Sequence, residues 1–160
     1  MVAARRERFA PAPSTAASGE RHAHRADGDA DLTPQFADVG RHYGPFDLVM
    51  LEVGAFHPSW GTIHLGPENA LEAFAMLGGG TLLPVHWGTF NLALHDWDEP
   101  AETLLHLAGA RGARVLTPRL GAPFEPEHVA GPSPWWRALA GQRDRDEAGA
   151  ATDPTLDVAR

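Results

Sequence analysis

The chain has 160 residues, an apolar fraction of 43% and a formal net charge of −8. That length suits one domain with its own core, and the acidic balance argues against a nucleic-acid partner, whose footprint would be a basic patch. Cysteine is absent, so disulfides and thiolate metal sites are excluded, and a metal would have to use His, Asp, Glu or water. No apolar run reaches the ~18 residues of a membrane span. Arg5, Arg6 and Arg8 are not followed by the apolar stretch of a secretory signal, so a cytoplasmic protein is expected.

In chain order, residues 1–27 are rich in Ala, Arg, Pro, Ser and Gly without helical or strand periodicity, and are expected to be disordered. Leu32–Arg41 predicts a short helix, with Thr33 as its N-cap, Pro34 at its first position and Phe36/Val39 as an i, i+3 apolar pair. Gly44-Pro45 reads as a turn. Phe46–Val53 (FDLVMLEV) reads as a strand buried on both faces. A loop follows over Gly54–Gly66, holding Phe56, His57, Trp60 and His64.

Pro67–Leu77 predicts a second helix, closed by Gly78-Gly79-Gly80. A second strand is expected at Leu82–His86. A third helix is expected at Pro100–Ala110, and a short strand at Arg114–Leu116. Residues 141–160 read as a disordered tail, leaving 28–140 as the folded part. Strands alternating with helices imply an α/β fold of parallel βαβ units with right-handed crossovers.

Two residues stand at strand and helix rims, where α/β folds build sites. His86 ends the second strand, and Asp29 in Gly28-Asp29 precedes the first helix. An imidazole and a carboxylate suit a zinc site without cysteine. The alternatives are a rim histidine satisfied by a backbone carbonyl and a turn aspartate. His57 and Trp60 read either as an ordinary loop or as a wall of a substrate pocket. Trp135-Trp136 reads as a clip over the core.

Four stretches, in order and spacing, carry a resemblance: GD at 28–29, GPFDLVMLEVGAF at 44–56, HLGPENAL at 64–71 and VHWGTF at 85–90. The sequence resembles the metallo-β-lactamase superfamily, and within it the branch of UlaG-like hydrolases and N-acyl-phosphatidylethanolamine phospholipase D. The resemblance implies the C-terminal half of a four-layer αβ/βα sandwich. It implies Asp29 as a carboxylate bridging two zinc ions, His86 as the last histidine ligand and His64 as a catalytic residue beside the substrate. The implied reaction is attack of a metal-bound hydroxide on an ester, phosphodiester or lactone. The implied partners are a small-molecule or lipid-like substrate, with an oligomer or a missing N-terminal half completing the fold.

One departure qualifies this. The superfamily's H-x-H-x-D-H signature belongs well upstream of the bridging aspartate. Here His22-Ala23-His24-Arg25-Ala26-Asp27 imitates only its start, directly before Gly28-Asp29. The threonine that usually follows GD is replaced by Ala30. The second reading is therefore a catalytically inactive, truncated remnant without the full metal motif.

Overall fold

The computed structural model describes the backbone of residues 2–4 and residues 32–54, 56–61, 63–91, 94–139 and 141–142. Asp29, His22 and His24 lie outside the described residues, as does most of the tail. A four-stranded sheet has the order β1-β2-β3-β4. Its strands are β1 (Val2–Ala4), β2 (Leu48–Glu52), β3 (Thr81–Val85) and β4 (Arg114–Val115). The helices are α1 (Gln35–Tyr43), α2 (Gly66–Met76) and α3 (Glu99–Arg111).

β2, β3 and β4 are parallel, as the alternation of strands and helices predicts. β1 is a departure: it pairs antiparallel with β2, Val2 opposite Met50, within a segment expected to be disordered. Three edge residues are too few to show a strand period.

α2 and α3 are the crossovers β2-α2-β3 and β3-α3-β4. Both move to the next strand in the same direction, so right-handedness puts them on one face of the sheet. They pack on each other, and α1 packs on α2. Val49, Leu51, Val53 and Leu82 point into this layer and are completely buried or nearly so. Truncating Leu51 to alanine there would cost about 2–5 kcal/mol. The opposite face holds Leu48, Met50, Leu83 and Val85, which are half-buried. The expectation of burial on both faces therefore holds for one face only.

Local chemistry sets the helix ends. Thr33 does not cap α1: Pro34 is the N-cap, no side chain bonds to the helix start, and the Thr33 carbonyl accepts from Phe36 N–H at 3.2 Å. α1 can lie close to the end of α2 because Gly40 has no side chain, since a Cβ there would stand 2.1 Å from the Met76 carbonyl oxygen. In α2, Ala70, Leu71, Ala73 and Phe74 form the buried stripe. Its C-terminus closes as Gly78 and Gly79 N–H groups donate to the Ala75 and Phe74 carbonyls. Gly112 caps α3 in the left-handed conformation.

The chain beyond β4 returns to α3. Trp136 is completely buried, and its Nε1–H donates to Glu102 Oε1 at 2.8 Å. Trp87 meets Trp136 edge-on with ring centroids 4.9 Å apart. The clip expected at Trp135-Trp136 is thus in place. No described helix is long and apolar enough to cross a membrane.

Candidate metal centre

The site grows from the carboxyl ends of two paired strands. Glu52 and Val85 are register partners at the ends of β2 and β3, and Val53 N–H extends the pairing to the Val85 carbonyl at 3.1 Å. The two exit loops then run so close that a Cβ on Gly54 would lie 1.7 Å from the His86 carbonyl oxygen. Only glycine fits there. His86 itself takes a left-handed backbone with φ 61°, a conformation uncommon for any residue other than glycine. That turn aims the imidazole out of the strand direction, and His86 is exposed.

His64 arrives from the other loop, just before α2. Its Nδ1 stands 2.7 Å from Glu52 Oε2, and Glu52 Oε1 accepts the N–H of Leu65, the N-cap of α2, at 3.3 Å. The Glu52 side chain is only 5% exposed and that of His64 11%. Burying a carboxylate is costly unless it is paired, and this one stands against the His64 ring on one oxygen and accepts the Leu65 N–H on the other. The His64 and His86 rings face each other with centroids 5.0 Å apart. One donor atom from each of Glu52, His64 and His86 lies within 4.8 Å of the others. Two imidazoles and a carboxylate are the donor set of a divalent N/O site, so the residues present fit a metal ion.

The structure brings together His64 and His86, two of the residues singled out in the sequence. Asp29 lies outside the described residues. Glu52 was not among the expected site residues. Its signal was a lone acid closing an otherwise apolar strand, because a buried polar group is the informative exception in a core.

His57 serves its own loop. Its Nδ1 accepts the Ser59 N–H at 3.1 Å and caps the short 3-10 turn Pro58–Trp60. Neither His57 nor Trp60 lines the cavity of about 470 Å³ that follows His86 along the chain, which is walled by Gly88, Phe90, Asn91, Trp97, Trp135 and Leu139 among others. His95 stacks on Phe56 with centroids 5.0 Å apart.

Residues 16–87 match the family model described as a beta-lactamase superfamily domain. This match and the relatives below support membership of the metallo-β-lactamase superfamily. Among relatives, the uncharacterized protein Rv0906 of Mycobacterium tuberculosis is 41% identical over 122 residues, covering 74% of this chain and 33% of that protein. N-acyl-phosphatidylethanolamine-hydrolyzing phospholipase D 1 of Caenorhabditis elegans is 31% identical over 80 residues, 48% of this chain and 22% of the relative. A UPF0173 metal-dependent hydrolase of Pelotomaculum thermopropionicum is 32% identical over 93 residues, 57% and 36% of the two chains. The chain spans about a third of the length of the first of these relatives.

Proposed function

We propose that this protein acts as a metal-dependent hydrolase on an ester, phosphodiester or lactone, with His86 and Asp29 as zinc ligands and His64 as the catalytic group beside the substrate. The observation that carries this reading is the meeting of His64 and His86 over the buried Glu52 carboxylate, at the carboxyl ends of β2 and β3. A divalent ion held at such a site acidifies bound water and polarises the group under attack. His86 offers its imidazole from a rigid, left-handed corner. His64, held on Glu52 through Nδ1, presents Nε2 as the atom that takes or returns a proton. A lipid-like substrate has support from the relative named as a phospholipase D.

The two-ion chemistry of the branch needs more donors than the proposed ligands Asp29 and His86 with Glu52 and His64 beside them, so turnover by the 160-residue chain is proposed to be weak. Elemental analysis paired with phosphodiesterase and lactonase assays tests the reading. The expected result is bound zinc and low turnover, both lost in His86→Ala and Asp29→Ala. A folded chain that takes up no zinc and hydrolyses nothing would leave the inactive-remnant reading in its place.

A further inference from the structure

We infer that the carboxyl rim of the sheet is a lipid-binding face, by which the chain adsorbs to a zwitterionic membrane surface. The adsorption follows from the surface alone. Its purpose, bringing a lipid-like substrate to His64 and His86, rests on the hydrolase reading. Seven large apolar side chains are exposed among the described residues, and six of them gather at this rim. Trp60 and Ile63 lie in the loop that leaves β2, Phe90 and Leu94 in the loop that leaves β3, and Leu120 in the chain that leaves β4. Because these strands are parallel, all three segments start from one edge of the sheet. They also touch. Phe56 of the first stacks on His95 of the second, and Phe90 of the second walls one cavity with Leu120 of the third and with Leu139, the sixth exposed side chain. The seventh, Tyr43, ends α1 just before β2 begins, at the opposite edge.

Single exposed apolar residues are ordinary, but a gathering of them marks an interaction site. Leu94 is 88% exposed and left-handed, with φ 64°, a backbone that residues with a Cβ rarely adopt. A strained corner that holds a leucine out in water has a reason to exist if a partner takes that leucine up.

Charge selects the partner. Residues 53–67 and 86–95 contain no Asp, Glu, Lys or Arg, in a chain where such residues make up 21%. Asp96, Asp98 and Glu99 border the second stretch, and the whole chain carries −8. An anionic membrane is drawn to a polybasic patch, and this rim has none. A zwitterionic surface carries no net charge to repel it. The apolar side chains also stand on separate loops, with a cavity between the second and third. That is unlike the close-packed core of a protein interface, whereas fluid acyl chains fill in around each tip. Tryptophan, as at position 60, favours the boundary between water and lipid. With no described helix able to cross a membrane, the described residues would bind at the surface.

The test is co-sedimentation of the 160-residue chain with phosphatidylcholine vesicles, with and without phosphatidylserine, at about 0.1 and 1 M salt. The expected result is binding to pure phosphatidylcholine that salt does not weaken and phosphatidylserine does not improve. Phe90→Ser and Leu94→Ser should each lower the partition coefficient roughly tenfold with far-UV circular dichroism unchanged, while Tyr43→Ser keeps the wild-type value. If either fails to fold, Trp60→Ser and Ile63→Ser supply the same measurement. A wild type that stays in the supernatant overturns the inference. So does one that binds only with phosphatidylserine and is released by salt, or whose binding none of the rim variants weakens. A chain that ignores vesicles but forms a dimer lost in Leu94→Ser would assign the face to a second copy and overturn it as well. A vesicle-bound chain without zinc or turnover would sink the hydrolase reading and leave the lipid face standing. A zinc-bound chain active on a soluble ester but indifferent to vesicles would do the reverse.

Discussion

At the scale of single residues, the corner at His86 sets backbone comfort against a side chain's position. A left-handed conformation costs a residue with a Cβ about 1–2 kcal/mol and glycine almost nothing. Such strain persists only where the surroundings over-determine it. Here the close approach of Gly54 to the His86 carbonyl supplies that constraint. Two substitutions separate backbone from side chain, because both remove the imidazole. His86→Gly is expected to be more stable than His86→Ala by about 1 kcal/mol, measured as a difference in urea midpoint at equal slope. Equal stabilities would show that the corner carries no strain.

Not every site residue could be read from the chain. His86 drew attention as a histidine at the carboxyl end of a strand, and His64 through the resemblance carried by HLGPENAL at 64–71. Glu52 did not. Its meaning depends on a partner twelve positions away, and no local periodicity encodes a contact across a loop.

At the scale of elements, the three parallel strands and the crossover helices were legible because apolar runs and Pro/Gly punctuation agree there. The departures have identifiable causes. β1 is too short to carry a pattern, and the start of α1 shifted because proline serves as the N-cap where a threonine cap was expected.

One contact between elements has a clear pH signature. Glu102 on α3 accepts from Arg137 Nε and Nη2 at 2.7 and 2.6 Å, and from Trp136 Nε1. The Arg137 hydrogen bonds, aided by that of Trp136 and partly offset by burial, hold the Glu102 carboxyl below its ordinary value of 4.5. A lowered folded value means that this contribution to stability is complete above that ordinary value. It is lost as pH falls through the folded one.

Acidification should therefore loosen the segment around Trp136 from α3, and Glu102→Gln should flatten that part of the pH dependence. Urea midpoints at several acidic pH values would check it; identical profiles for wild type and Glu102→Gln would refute it. Emptying the Trp136 site itself, by Trp136→Ala, should cost about 3–5 kcal/mol.

At the scale of the molecule, the helices cover one face of the sheet and the site sits on its rim. The four-layer sandwich implied by the resemblance could not be read from composition or spacing, because a second layer pair is a matter of long-range packing. What could be read was the repeated β-α-β grammar. That grammar located the strand ends at which Glu52, His64 and His86 meet.

The rim has a kinetic meaning too. Glu52, His64 and His86 all belong to the single unit β2-α2-β3, so the contacts that make the site close short loops. Such low-order contacts form early and open together. The three donors that meet among the described residues therefore lie within one β-α-β unit, to which the proposed ligand Asp29, upstream of α1 in the sequence, would be added. Zinc bound there should slow amide hydrogen exchange across β2, α2 and β3 as a block, while β4 and the Trp136 segment keep their own rates. Protection spread evenly over the whole chain would mean that the unit does not open on its own. In that case the site's lifetime is simply the lifetime of the native state.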